Sequence, residues 1–202
     1  MRPSTLALTV LSLLSFEPLH PYGMQRLIKQ WGKDQVVNVG QRANLYKTIK
    51  RLHEAGLIAV RQTERDHQYP ERTVYELTPA GEATGRAWLV DMLRTPRNEF
   101  PEFPAALSFV MALGPEGTVA VLQERAAAVR DRLVGLEDEL MSAVDVPRVA
   151  LLETEYLRAM TAAELTWIET VLEDLRTGEL GWSLEDLLAA SAPFRTGGDP
   201  PR

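Results

Sequence analysis

The run Arg42-Ala43-Asn44-Leu45-Tyr46-Lys47-Thr48-Ile49-Lys50-Arg51-Leu52-His53-Glu54-Ala55-Gly56-Leu57-Ile58 is the key to this chain. Leu45, Ile49 and Leu52 recur at the three- and four-residue spacing of one helical face. At about 100° per residue, Ala43, Lys47, Lys50 and Glu54 point away from that face, with Asn44, Tyr46 and Arg51 flanking them. Gly56 stands where a helix C-terminal cap is expected, and Leu57-Ile58 begins something extended. A helix with an apolar back and a Lys/Arg/Asn/Tyr front suits a DNA groove. Its cations meet phosphates, and its amide and guanidinium forks meet base edges. A merely solvated amphipathic helix has the same pattern, so the flanking segments decide between the two.

Upstream, Ser4 or Thr5 caps a first helix whose Leu6, Val10, Leu13 and Leu14 form an apolar stripe, ended by Glu17-Pro18. Pro21 is placed as the first residue of a second helix, with Met24, Leu27, Ile28 and Trp31 facing inward and Gly32 closing it. His20 reads as a cap or turn residue. Downstream, two extended pieces (57–63 and 73–78) flank the polar segment 64–71, a long hairpin tip. Thr78-Pro79 starts a fourth helix that carries Trp88, Leu89, Met92 and Leu93 and stops before Pro96. Helix, helix, basic helix, hairpin is the order of a winged helix-turn-helix, whose second helix of the pair enters the major groove. The expected DNA contacts are Gln41, Arg42, Asn44, Tyr46, Lys47, Lys50 and Arg51 on that helix, and Arg65, His67 and Arg72 on the wing.

Residues 95–104 form a Pro-rich joint that Phe100 and Phe103 are expected to pack down; a short helix follows and is broken by Gly114-Pro115. Val119, Leu122, Ala126, Val129, Leu133, Leu136 and Leu140 then repeat with alternating spacings of 3 and 4, a seam for helix-to-helix packing. Beyond Asp145-Val146-Pro147 a long helix over 148–176 carries Leu152, Tyr156, Met160, Ala163, Trp167, Ile168, Leu172 and Leu175, a band broad enough for more than one neighbour. Trp31 and Trp167 are expected in the core. Two long antiparallel helices leave apolar surface open, and a second copy of the chain covers it most simply. The N-terminal module covering it within one chain is the alternative. The residues assigned to dimerisation are Leu122, Val129, Leu133, Leu136, Leu140, Ile168 and Leu172. The expected fold is mainly α with a small β-hairpin wing. Residues 1–95 form a winged helix-turn-helix DNA-binding domain, 96–190 a helical dimerisation domain of long antiparallel helices, and 191–202 a disordered tail.

The net charge of −6 hides an asymmetry. Residues 1–81 hold 11 Lys and Arg against 7 Asp and Glu, or +4, and residues 82–202 hold 11 against 21, or −10. A basic module on an acidic remainder suits an anionic polymer bound at one end. With no cysteine the chain has no disulfide framework or thiol chemistry, which fits a reducing cytoplasm. The apolar run 6–14 is too short for a membrane span. His20, His53 and His67 are scattered without metal-ligand spacing, and no phosphate loop or nucleophile motif appears. No enzyme activity, cofactor or metal is expected.

Several strings resemble the PadR family of bacterial transcription regulators: Pro18-Leu19-His20-Pro21-Tyr22-Gly23-Met24, the run Asn44 to Ile58, Arg72-Thr73-Val74-Tyr75-Glu76-Leu77-Thr78-Pro79-Ala80-Gly81, and Asn98-Glu99-Phe100-Pro101. The resemblance implies a dimeric winged-helix repressor on a pseudo-palindromic double-stranded operator, in some members released by small aromatic or lipophilic effectors. It also implies that the region of Trp88 and Met92 holds a flat ligand, against the plainer reading of Trp88 as core. Lys47 stands where many relatives have Pro, Ala43-Asn44 replaces Gly-Ser/Thr, and the wing tip Asp66-His67-Gln68-Tyr69-Pro70 lacks the usual glycines. These departures leave the class intact and bear on operator sequence and wing contacts. A winged-helix protein-interaction module without DNA binding is the reading from another class.

Overall fold

The structure, a computed structural model, describes residues 3–38, 42–64 and 72–183, together with 185, 186, 188 and 189. The chain divides into two compact units, residues 1–98 and 99–202.

The first unit runs α1 (Thr5–Leu14), α2 (Pro21–Gln30), a 3₁₀ turn (Lys33–Gln35), α3 (Arg42–Glu54), β1 (Ile58–Glu64), β2 (Arg72–Leu77) and α4 (Pro79–Arg94). The starts of α1, α2 and α4 follow from local chemistry. The Ser4 hydroxyl accepts from the Ala7 N–H at 3.2 Å, and the Thr78 hydroxyl accepts from the Gly81 N–H at 3.0 Å. His20 caps α2 through its ring, Nδ1 accepting from the Gly23 N–H at 2.8 Å, with Pro21 at the first helical position. Val10, Leu11, Met24, Ile28, Leu45, Ile49, Leu52 and Ile58 form the buried centre, so the helix triad and β1 share one core. β1 and β2 pair antiparallel from Ile58 opposite Leu77 to Glu64 opposite Arg72, with a bulge between Val60 and Gln62. Leu19 adds a bridge on the far edge of β2, exchanging backbone hydrogen bonds with Tyr75 at 3.0 and 2.9 Å.

Trp31 is 45% exposed, contrary to the core placement expected of it. α2 ends at Gln30, Gly32 turns left-handed (φ 65°), and the ring lies edge-on to Phe16 at the rim, beyond the reach of the core.

The second unit runs α5 (Glu102–Leu107), a 3₁₀ turn (Val110–Leu113), α6 (Gly114–Ser142), a second 3₁₀ turn (Arg148–Ala150) and α7 (Leu152–Thr177). Gly114-Pro115 opens α6 where a break was expected: Gly114 takes a positive φ of 67° and Pro115 sits in the first turn, where its missing N–H costs nothing. Of the two phenylalanines at the joint, only Phe103 packs down; Phe100 stands at a positive φ of 50° and is exposed.

α6 and α7 form an antiparallel hairpin, and this corrects the assignment of the dimerisation residues. Leu122 (3% exposed), Val129, Leu136 and Ile168 (0%) are buried within the chain itself; Leu133 and Leu172 pack on the same cluster, and Leu140 is half-buried. The seam is real, but its occupant is α7 of the same chain, because the turn after Ser142 folds the second helix straight back onto it. Burying each such side chain contributes about 1.5–3 kcal/mol. The ion pairs beside the seam, Arg125 to Glu164 at 2.6 Å and Arg130 to Glu169 at 2.7 Å, are partly solvated and add little by comparison. Where α7 begins, the Arg148 guanidinium forks onto the Glu155 carboxylate (2.9 and 3.0 Å) and holds it below the usual carboxylate range.

Trp167 is likewise partly exposed, not core, with its edge against Phe103 at 6.0 Å. No helix of the described residues is long and apolar enough to cross a membrane.

Candidate nucleic-acid interface

α3 packs on α1 and α2 through Leu45, Ile49 and Leu52, which are at most 2% exposed. That burial sets the rotation of the helix, and with it the outward direction of everything else. Asn44, Tyr46, Lys47, Lys50 and Arg51 are all exposed, Tyr46 at 55%. The helix ends as expected: Gly56 is left-handed (φ 70°), and the N–H groups of Gly56 and Leu57 turn back to the carbonyls of His53 and Leu52 at 2.9 and 3.0 Å.

Within the face, Lys50 lies 3.8 Å from Glu54, a solvated pair one helical turn apart that costs little to exchange for a phosphate. Among the described residues Lys47 and Arg51 carry no ion pair. His53 meets the Tyr75 ring edge-on at 6.0 Å, which ties the last turn of α3 to β2 of the wing. The exposed front therefore offers three cations, one amide and one phenol along about two turns, backed by an apolar triad that cannot rotate outward.

Five further expected contacts fall at or beyond the edge of the described residues. Gln41, Arg65 and His67 lie outside them. Arg42 begins α3 and Arg72 begins β2 by backbone, with their side chains outside the description.

Three exposed residues of the first unit, one aromatic and two cationic, are absent from the contacts expected from the sequence. Tyr22 is 61% exposed at the start of α2 and stacks on the His20 ring at 6.1 Å. Arg26 is exposed one turn later on the same helix. Arg61 is exposed on β1, 4.0 Å from Glu76, and shares with Pro18, Leu19, His20 and Val74 a depression of about 380 Å³. An exposed aromatic beside a helix cap was the available signal for Tyr22. Arg61 gave none, because the bulge at its position interrupts the alternation by which strand faces are assigned.

Trp88 is half-buried and packs against the core of the first unit, and Met92 is half-buried on the same helix. Among the described residues no cluster of His, Asp or Glu could hold a metal ion.

Residues 10–87 match the family model described as Transcriptional regulator PadR-like family, a span from the middle of α1 to the middle of α4. Among solved structures, Bacillus subtilis PadR in complex with operator DNA is similar with a TM-score of 0.71 and 18% identity, over 85% of this chain and 99% of that one. The same protein in complex with p-coumaric acid gives 0.69 and 18%, over 86% and 99%. The Vibrio cholerae virulence activator AphA gives 0.59 and 17%, over 86% and 99%. At such identities the likeness is one of fold. No curated protein sequence matches the chain. Residues 10–87 thus carry the pattern of the Transcriptional regulator PadR-like family, and the fold of the chain, a winged helix-turn-helix and long antiparallel helices, is the one seen in PadR.

Proposed function

We propose that this protein is a sequence-specific DNA-binding transcriptional regulator that works as a homodimeric repressor, released by a small aromatic effector. The observation that carries the reading is the outward face of α3: Asn44, Tyr46, Lys47, Lys50 and Arg51 exposed over the buried Leu45, Ile49 and Leu52, beside a hairpin wing. Lysines and the arginine supply phosphate contacts, and Asn44, Tyr46 and Arg51 are the groups able to read base edges. Gln41, Arg42, Arg65, His67 and Arg72 belong to the proposed contact set on sequence grounds alone.

Support for the dimer comes from α7. Leu152, Tyr156, Met160 and Ala163 are all exposed, Tyr156 at 64% and Met160 at 53%. At about 100° per residue these four fall within roughly 80° of the helix circumference. Thr154, Thr161, Leu165 and Ile168, buried against α6, lie on the other side. α7 is thus apolar on two faces, one used within the chain and one left for a second copy. Two copies place two recognition helices on one duplex, so the operator is a pseudo-palindrome with half-sites spaced by about 10 bp per turn.

A mobility-shift titration of the full chain against its own upstream region tests the reading. Specific retardation that competitor DNA of unrelated sequence does not remove is the expected result; no preference over that competitor favours the protein-interaction reading. A reporter assay then reads the sign of the effect, since the same fold carries a protein named as an activator.

A further inference from the structure

The C-terminal unit contains an open cavity of about 410 Å³ between residues 107–111, the first turns of α6, the last turns of α7 and the chain that follows. Leu122, Val110 and Val171 line it, and two indoles, Trp167 and Trp182, stand in its wall. Both rings are held. The Trp182 Nε1–H donates to the Met111 carbonyl oxygen at 3.0 Å, closing a loop across 71 positions of sequence. Trp167 has its edge against Phe103, whose ring in turn carries the Arg125 guanidinium 3.5 Å from its centroid. Among the described residues the lining holds no charged side chain, and the hydroxyl of Thr118 already donates to the Gly114 carbonyl at 2.7 Å.

This combination selects a ligand class. A volume in the range of about 300–1,000 Å³ suits a small molecule. Held indoles favour a flat aromatic partner, which gains stacking or edge contact without first ordering the rings. An ionised ligand would shed part of its hydration and find no counter-charge among the described lining residues, so the lining favours an uncharged ligand over a carboxylate. The Thr118 oxygen retains lone pairs and is able to accept from one donor on the ligand.

We propose that the cavity walled by Trp167 and Trp182 binds a small, flat, uncharged aromatic molecule. Its lining belongs to the second unit, whereas Trp88, which the family resemblance singles out, belongs to the first. Its use as an effector site rests on the DNA-binding reading above; the binding itself does not.

The test titrates the full chain, without DNA, against 1-naphthol and against 1-naphthoate by isothermal calorimetry. 1-Naphthol is expected to bind at one site per chain and 1-naphthoate about tenfold or more weaker. Trp182→Ala removes one wall, and Leu180→Trp fills the rim; each should weaken 1-naphthol about tenfold with the circular dichroism spectrum unchanged. Equal affinity for 1-naphthol in the parent and both variants, or 1-naphthoate bound as tightly as 1-naphthol, overturns the assignment. Mobility shift run in parallel separates the two readings. Binding of 1-naphthol by a chain that retards no DNA keeps the cavity and removes the regulator, whereas DNA retardation without 1-naphthol binding removes the cavity alone.

Discussion

A Cβ placed on Gly81 would lie 1.9 Å from the carbonyl oxygen of Leu57. The first turn of α4 therefore rests directly on the backbone at the end of α3, with no side chain between them. Thr78 adds to the same joint, its N–H donating to the Leu57 carbonyl at 3.2 Å and its hydroxyl to the Gly56 carbonyl at 2.8 Å. α4, which leads out of the first unit, is thus fastened to the turn that ends α3. Gly81→Ala is expected to destabilise the first unit by about 3 kcal/mol, the upper end of overpacking, because the atom it meets is backbone and cannot swing aside. Gly135→Ala on the open face of α6, where a Cβ meets nothing within 4 Å, is the control and should stabilise by about 0.5–1 kcal/mol. Denaturant melts of the two variants check both signs.

On the recognition face, Lys47→Ala and Lys50→Ala should each weaken operator binding with no change in thermal stability, because neither side chain touches the core. If both meet phosphates, the loss is similar on every DNA sequence and the salt slope falls by about 1 for each. Asn44→Ala should instead reduce discrimination between operator and mutated sites, by about 1–3 kcal/mol for a good bidentate contact. Salt-dependent binding to operator and to scrambled DNA separates the two behaviours. An unchanged operator affinity in the Lys47/Lys50 double variant would remove the assignment.

The two faces of α7 should fail differently. Tyr156→Glu with Met160→Glu places charge on the exposed stripe and is expected to yield a folded monomer by light scattering, with weakened operator binding. Ile168→Ala, on the face buried against α6, should cost about 2–5 kcal/mol of stability instead. A dimer that survives the double glutamate variant would move the interface off this stripe.

His20 tests whether an unusual cap matters. Its ring nitrogen takes the place of a shorter hydroxyl or amide, so His20→Asn should retain α2 and His20→Ala should cost about 1 kcal/mol. Thermal melts are sufficient to distinguish them. Equal losses in both variants would mean that His20 contributes through its stacking with Tyr22 and not through the cap.

What could be read from residue order alone was local. The rotation of α3, the caps at Ser4, His20 and Thr78, the wing strands and the two long helices all follow from spacing and cap chemistry over a few residues, and those signals need no partner. Tertiary structure decided whatever depends on which surface meets which. The periodicity of Leu122, Val129 and Leu136 shows that a seam exists, yet an identical pattern serves a helix of the same chain or of a second copy. Only the hairpin geometry assigns it to α7 and leaves Tyr156 and Met160 facing outward. Trp31 and Trp167 lie on apolar stripes, but a stripe gives a direction about the helix axis and not how far the core extends along it. Gly81 reads as an ordinary helix residue until the Leu57 carbonyl is seen against it. The cavity beside Trp182 joins positions 71 residues apart, a separation at which no sequence period carries information.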